Sequence, residues 1–163
     1  MTAPQPDFRQ AMATVPGPVV IATTVDPLGR PWGFTASSFT SLSADPPLVL
    51  VCLDKKASTH RAFSTCDRFL VNVLSAEHAE VAQRFATSGT DRFAAADTRP
   101  LELGLPGLPD ATARIACTLH SVLDGGDHSI LVGRVVRTAV SQEPPLVYCR
   151  RGFTRLDPVP AAV

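Results

Sequence analysis

The sequence predicts a mainly β protein, an antiparallel barrel or sandwich with two or three short helices. Ten glycines and 15 prolines among 163 residues indicate many turns. About seven runs are rich in β-branched and apolar residues, which are typical of strands. Most of these runs follow one another through turns or short links. This arrangement favours antiparallel pairing over a doubly wound parallel sheet, which needs long helical crossovers.

The N-terminal part is expected to hold one helix and a hairpin. A short helix is predicted over Asp7–Thr14, before a proline-rich stretch. The β-branched run Val19–Val25 predicts a strand. The turn-forming residues Asp26–Arg30 should lead into a return strand from Trp32 to Ser43. The prolines in Asp45–Pro47 should end that strand.

The middle of the chain is expected to alternate strands with short helices. The continuously apolar run Leu48–Leu53 predicts a central strand buried on both faces. Ser58 is expected to cap a short helix, and Ser75 to cap a second one after the strand Phe69–Leu74. A long polar stretch, Thr87–Pro109, is predicted to be irregular, and such stretches are often functional.

The C-terminal part predicts one long hairpin and a last strand. Strands are expected over Ala113–Leu123 and Ser129–Val140, joined by the turn signal Asp124–Asp127. A final strand is predicted over Leu146–Arg150, and residues 157–163 should form a loose tail. The length fits a single domain over residues 1–163, with a core at about 8–154.

Charge and composition exclude several classes of function. Lys plus Arg and Asp plus Glu are 15 each, so nucleic acid is not an expected partner. The sequence lacks an apolar run long enough for a membrane helix and begins without a signal-peptide pattern, which predicts a cytoplasmic protein. The cysteines, at 52, 66, 117 and 149, are interpreted as reduced and mostly buried. No metal site is predicted, because the four histidines are dispersed.

The familiar catalytic motifs are missing from the sequence. It contains no G-x-S-x-G, no G-x-x-x-x-G-K-[ST] and no G-x-G-x-x-G. It has only four glutamates and no evident carboxylate pair. If the protein is an enzyme, its chemistry is therefore expected to come from a cofactor.

Two segments offer groups for binding a ligand. Thr35–Ser41 carries five hydroxyls in seven residues, which suits a flat polar heterocycle or simply a half-exposed strand. Ser58 and Thr59, close to Arg61, form either an anion site at a helix start or an ordinary helix cap.

Two further side chains stand in turns or irregular chain. Arg92 could hold a phosphate or be a surface arginine. His128 follows a glycine-rich turn, so it could touch a ligand or merely face solvent.

These segments occur together with others in a recognisable order over about residues 8–154. The matching stretches are Gly33–Ser43, Asp45–Leu53, Phe69–Leu74, Asp91–Phe93, Gly126–His128 and Pro145–Tyr148. In this order they resemble the flavin reductase family, whose fold is an FMN-binding split barrel. They are most similar to the short-chain NAD(P)H:flavin oxidoreductases that feed two-component monooxygenases.

The resemblance implies a fold, an activity and partners. The fold would be an antiparallel Greek-key split β-barrel that forms a homodimer. The activity would be hydride transfer from NADH or NADPH to FMN or FAD, with reduced flavin passed to a partner monooxygenase. Two alternatives stay open: a barrel that keeps its flavin bound and reduces another acceptor, and a flavin-binding protein without turnover.

The resemblance also implies a role for individual residues. Around the isoalloxazine and ribityl chain it places Thr35, Ala36, Ser37, Ser38 and Ser41, with the backbone of Cys52, Leu53 and Asp54 beneath the flavin. At the phosphate it places Ser58 and Thr59, with Arg92 and Phe93 holding that end. Facing the nicotinamide nucleotide it places His128, Tyr148 and Arg151.

Overall fold

A computed structural model describes residues 6–161 of the chain. The helices are α1 (Pro6–Ala13), α2 (His60–Ser64) and α3 (Ala79–Ala86), with a 3-10 turn at Glu102–Gly104. The strands are β1 (Gly17–Pro18), β2 (Val20–Val25), β3 (Pro31–Ala36), β4 (Phe39–Ala44), β5 (Pro47–Asp54), β6 (Arg68–Val73), β7 (Arg99–Pro100), β8 (Pro106–Gly107), β9 (Ala113–Gly125), β10 (His128–Val140), β11 (Val147–Cys149) and β12 (Gly152–Thr154).

Seven strands form one antiparallel sheet in the order β3-β2-β6-β9-β10-β5-β4. The two edge strands, β3 and β4, are consecutive in the chain and are separated only by Ser37 and Ser38. The sheet must therefore curl until its two edges approach each other, as in a barrel. The split in this barrel lies between β3 and β4. The mainly β, antiparallel fold class predicted from the sequence is confirmed.

The hairpins that the sequence predicts are present. Asp26 begins the turn between β2 and β3, and its backbone N–H donates to the carbonyl of Arg30. Gly126 and Asp127 alone connect β9 to β10. Turn residues with a defined backbone preference thus predicted the connections correctly.

Two strand predictions need correction. The single return strand expected from Trp32 to Ser43 is two strands, because the chain leaves one edge of the sheet at Ser37 and joins the other edge after Ser38. The final strand is followed by β12, which pairs with β11 through Arg150 and Arg151. Both arginines have positive φ, 52° and 62°. Arginine gives no sequence signal for such a turn, which usually holds glycine or asparagine.

The helix starts predicted at Ser58 and Ser75 were also wrong. α2 begins at His60 with Thr59 in the N-cap position, and α3 begins at Ala79 after His78. Neither Thr59 nor His78 makes a side-chain capping bond. Ser75 instead forms a β-bridge with Pro145.

The most buried strand is β2, not β5. Residues 20–24 of β2 are all buried, with Val20 and Ala22 in the barrel core and Ile21 in a second cluster beneath α3. In β5, Val49, Val51 and Leu53 are buried, but the alternate residues are only half-buried. The expected burial of β5 on both faces is wrong, because α3 covers β2 and β3 instead.

The four cysteines are free thiols, as interpreted from the sequence, but the expectation that most of them are buried is wrong, because only Cys117 is buried and the other three are half-buried. Burial raises the pKa of Cys117 to about 12, so this thiol stays protonated. Within residues 6–161, none of the helices has the length and apolar character needed to span a bilayer.

Candidate functional site

A cleft of about 760 Å³ opens along the free edge of β3. Three segments form it: the start of β3, the turn before α2 and the loop after α3. Its lining residues are Arg30, Pro31, Trp32, Gly33, Ser58, Thr59, Gly89, Thr90, Asp91, Arg92 and Phe93. The cleft thus brings together Ser58, Thr59, Arg92 and Phe93, which the family resemblance is expected to place at the phosphate end of a flavin.

Thr59 contributes a buried polar group to the wall of this cleft. Only 2% of the residue is exposed, and its hydroxyl oxygen lacks a hydrogen-bond partner among the described residues. Leaving such a group unpaired costs about 1–3 kcal/mol. A ligand oxygen would satisfy it. α2 has five residues, so this hydroxyl, not a helix dipole, provides the polar feature of the turn.

Arg92 supplies a fixed positive charge to the same cleft. Its Nη1 donates to the carbonyl of Gly33 at 2.6 Å, and its Nε donates to the carbonyl of Thr87 at 3.3 Å. Burial lowers the pKa of Arg92, but a guanidinium remains charged at neutral pH. The charge therefore sits beside residue 33 of β3, and none of the ion pairs found within residues 6–161 includes it.

The loop that carries Arg92 is itself held in place. Arg84 of α3 donates from Nε to the Arg92 carbonyl at 2.9 Å and from Nη2 to both carboxylate oxygens of Asp97 at 2.7 and 2.6 Å. Phe93 packs edge-on against Phe85, with ring centroids 5.1 Å apart. These contacts fix the loop after α3 against the barrel.

The hydroxyl-rich segment lies further along the same split. Ser37 and Ser41 are exposed. Ser38 Oγ lies 3.2 Å from the Cys52 nitrogen and 3.3 Å from its carbonyl oxygen. Ser38 therefore connects the β3–β4 corner to β5, next to Leu53 and Asp54.

Two members of the predicted flavin contact set have other partners in the structure. The Thr35 hydroxyl donates to the Ala82 carbonyl at 2.7 Å and so ties β3 to α3. Ala36 packs against the barrel core. Their side chains therefore contribute to the fold, and their predicted contact with a flavin stays a prediction.

Tyr148 lies near the Ser37 corner. It pairs with Gly17 across β1 and β11, and a Cβ on Gly17 would be 3.2 Å from the Ser37 carbonyl oxygen. Tyr148 also packs against Phe153 at 5.7 Å. Arg151, in the turn after β11, is exposed.

His128 starts β10 directly beside Asp54 of β5. Its Nδ1 lies 2.7 Å from the Asp127 carboxylate, which lowers the pKa of Asp127. Asp127 and His128 were not expected to pair, because neighbours in a strand point to opposite faces. They do pair, since Asp127 belongs to the turn. Lys55 forms an ion pair with Asp124 at the same end of the hairpin.

Sequence reasoning missed Arg30 and Trp32 as cleft residues. The Asp26 carboxylate accepts hydrogen bonds from the backbone N–H of Arg30 at 2.9 Å and from Trp32 Nε1 at 3.1 Å. The Arg30 guanidinium lies 4.5 Å from the centre of the Trp32 ring. The only available signal was a lone tryptophan just after a turn.

A smaller depression of about 360 Å³ lies at the C-terminal end of β2. It is lined by Val25, Asp26, Pro27, Ala62, Thr65, Cys66, Asp67 and Arg68, so it contains no residue of the predicted flavin set. Burial raises the pKa of the Cys66 thiol, which makes it a poor nucleophile. The cleft beside β3 is the better candidate site.

Comparison with known proteins decides the family. Residues 12–157 match the family described as a flavin reductase like domain. The chain belongs to the flavin reductase family. The resemblance drawn from the sequence motifs is thereby confirmed.

Three similar proteins illustrate the range of this family. An actinorhodin polyketide dimerase of Streptomyces coelicolor is 42% identical, over 96% of this chain and 89% of its own. The reductase subunit HsaB of a flavin-dependent monooxygenase from Mycobacterium tuberculosis is 40% identical, over 93% and 82%. The NADH:FAD oxidoreductase SgcE6 of Streptomyces globisporus, solved with NAD and FAD fragments, superposes with a TM-score of 0.90 at 31% identity, covering 99% of each chain.

Proposed function

We propose that this flavin reductase takes hydride from NADH or NADPH and reduces FMN or FAD, which then leaves to serve a flavin-dependent monooxygenase. The observation that carries the proposal is that Thr59, whose buried hydroxyl lacks a partner among the described residues, and Arg92 line one cleft in a flavin reductase fold. The relatives HsaB, a monooxygenase reductase subunit, and SgcE6, an NADH:FAD oxidoreductase, support the partner and the cofactors.

The cleft fits a phosphorylated flavin. Thr59 offers a buried hydroxyl, Ser58 a second one, and Arg92 a charge that suits a phosphate. Ser37, Ser38 and the backbone of residues 52–54 would support the ring further along the split. When bound, the flavin supplies an acceptor for two electrons.

The task of the protein is positioning. Reacting atoms must be held about 3–3.5 Å apart, and no proton-transfer group is required for hydride transfer itself. His128 is proposed to contact the nicotinamide nucleotide, together with Tyr148 and Arg151. Because Asp127 holds the His128 imidazole at 2.7 Å, the ring is oriented before a nucleotide arrives.

We further propose a cytoplasmic homodimer in which residues 1–163 form one domain. Four free thiols suit a reducing compartment. Half-exposed apolar side chains on β4 and β10 suit burial against a second copy. The barrel core and the cluster beneath α3 share β2, which supports a single folding unit.

The test is NADH or NADPH oxidation by the purified protein with and without added flavin. The proposal expects a rate that rises with free FMN or FAD and saturates. Protein that oxidises the nicotinamide only with a bound flavin and another acceptor would instead be a flavoprotein reductase of a different kind. Flavin binding without any nicotinamide oxidation would identify a binding protein and refute the proposal.

A further inference from the structure

Arg30 and Trp32 form a part of the cleft that the phosphate-binding residues leave unused. The Arg30 guanidinium lies 4.5 Å over the indole of Trp32. Trp32 is half-buried and packs against the barrel core, whereas Arg30 is exposed. Among the ion pairs of residues 6–161, none includes Arg30. The pair therefore presents a flat cation, backed by an aromatic ring, to the cleft.

Asp26 fixes the Arg30 backbone and the Trp32 indole. One carboxylate oxygen accepts the backbone N–H groups of Leu28 and Arg30, both at 2.9 Å, and the other accepts Trp32 Nε1 at 3.1 Å. The turn and the indole are thus held by one charged group. An arrangement that is ordered before binding loses less entropy when a ligand stacks on it.

The position of the pair along β3 indicates which ligand group would reach it. Arg92 is anchored at the Gly33 carbonyl, so the proposed phosphate site lies level with residue 33. The ring-binding corner at Ser37 and Ser38 lies downstream along the strand. Arg30 and Trp32 lie upstream, on the opposite side of the phosphate. A flavin bound in this direction would point whatever follows its phosphate toward them.

We propose that Arg30 and Trp32 form a platform for the adenylate half of FAD, which makes FAD the preferred flavin over FMN. The adenine stacks on the guanidinium, which the indole supports from behind, and the same charge faces the second phosphate. FMN ends at its single phosphate and cannot use the platform. This inference rests on the proposed flavin reductase function and adds its flavin specificity.

The first test compares FAD and FMN binding to Arg30→Ala. Arg30 is exposed, so its removal should leave the fold intact, and an unchanged melting temperature checks this. We expect the Kd for FAD to rise about tenfold and the Kd for FMN to change less than twofold. Arg9→Ala, which removes an exposed arginine of α1 outside the cleft, should leave both unchanged. Equal effects on FAD and FMN, or no effect on either, would overturn the platform.

The second test uses Trp32 as a reporter, because it is the only tryptophan in the chain. ADP, which carries no flavin ring, should quench its fluorescence in the wild type and fail to do so in Arg30→Ala. An absence of quenching in the wild type counts against the platform.

A third measurement distinguishes a platform that binds the adenine of FAD from one that binds the adenine of NADH. With saturating FMN, the KM for NADH should be the same in Arg30→Ala and wild type. A raised KM with unchanged FAD affinity would assign the platform to the nicotinamide nucleotide and overturn the proposal. If no flavin stimulates NADH oxidation by the wild type, the proposed function fails instead, so the two failures are distinguishable.

Discussion

At the scale of single residues, Thr59 shows how a binding site can reduce the stability of the free protein. Its hydroxyl is buried and lacks a partner among the described residues, which lowers the free energy of unfolding. A ligand that supplies a hydrogen bond would recover this free energy. Thr24 provides the contrast. It is equally buried, but its hydroxyl donates to the Arg68 carbonyl at 2.7 Å.

These two threonines should therefore respond in opposite ways to the same substitution. Thr59→Val keeps the shape and removes the unpaired hydroxyl, so the free energy of unfolding of the free protein should hold or rise by about 1 kcal/mol. FMN and FAD should bind about 10-fold more weakly, with riboflavin unaffected. Thr24→Val should cost about 1 kcal/mol or more of stability and leave flavin binding unchanged. Denaturant titrations and flavin titrations measure both effects, and a destabilised Thr59→Val would contradict this account.

His128 should act on the nicotinamide substrate and not on the flavin. His128→Ala is expected to raise the KM for NADH or NADPH, or slow hydride transfer, by about tenfold, the value of one good hydrogen bond. Asp127→Asn should give a smaller change in the same direction, because it only weakens the orientation of the imidazole. Single-turnover kinetics at several NADH concentrations would test this. Behaviour identical to wild type would make His128 only a turn residue.

His78 should make the fold sensitive to acid. Burial lowers the pKa of His78, and its Nδ1 accepts the Ser75 backbone N–H at 3.1 Å, which requires a neutral ring. Because the folded-state pKa is lowered, the neutral His78 ring contributes its full share of stability above pH 6.5. This share is lost as the pH falls from 6.5 through the lower folded-state pKa. In His78→Asn the amide oxygen can replace Nδ1 without titrating. The variant should match wild type at pH 7.5 and melt at a higher temperature at pH 5.5; equal melting temperatures at pH 5.5 would refute the argument.

At the scale of elements, the sequence signals were strongest where the backbone chemistry is specific. Asp26–Arg30 and Asp124–Asp127 contain turn residues of known preference, and both hairpins are present. The break at Ser37 and Ser38 had no such signal, since hydroxyl residues are compatible with a continuous strand. The helix expected at Ser75 starts late because a tertiary contact, the bridge to Pro145, recruits the residue that resembled a cap, whereas α2 starts one residue later than expected, with Thr59 at its N-cap.

The candidate site was also predictable only in part, because only some of its residues belong to sequence motifs. The pairs Ser58–Thr59 and Arg92–Phe93 are more than 30 residues apart, and the order of the motifs linked them before the fold joined them in one cleft. Arg30 and Trp32 carry no motif. Their role depends on the stack between them and on Asp26, and such a contact becomes visible only in three dimensions.

Asn72 connects three elements and should be essential for their packing. It is fully buried on β6, its Nδ2 donates to the Ile21 carbonyl of β2 at 3.0 Å, and its Oδ1 accepts the Leu108 N–H at 2.9 Å. Asn72→Leu removes both hydrogen bonds and leaves the Leu108 N–H without this acceptor, so we expect a loss of about 2 kcal/mol. Thr118→Val, at an exposed position of β9, should change stability by less than about 0.5 kcal/mol. Urea denaturation would show the difference, and equal midpoints would contradict it.

At the scale of the whole molecule, two β-bulges expose apolar side chains at one end of the sheet. Register shifts lie between Ser41 and Ser43 in β4 and between Val135 and Arg137 in β10. Ser43 and Arg134 both pair with Leu48, so the two bulges are close together. At these bulges Leu42 is 52% exposed and Val136 is 50% exposed. Exposed apolar residues grouped in this way are typical of a contact surface.

We therefore expect a homodimer that uses this face. Light scattering at micromolar concentration should give about 35 kDa, twice the chain mass of 17.3 kDa. The double variant Leu42→Glu, Val136→Glu should be a monomer. In a dimer, the new glutamates of both protomers would be buried together in an apolar interface, and burying like charges without partners is costly. Leu28→Glu should remain a dimer, since Leu28 is 93% exposed at the β2–β3 turn, away from both bulges. A wild-type monomer would refute the dimer, and a double variant that stays at 35 kDa would place the interface elsewhere. If the monomeric variant binds flavin as tightly as wild type, the split of each barrel holds the flavin without help from its partner.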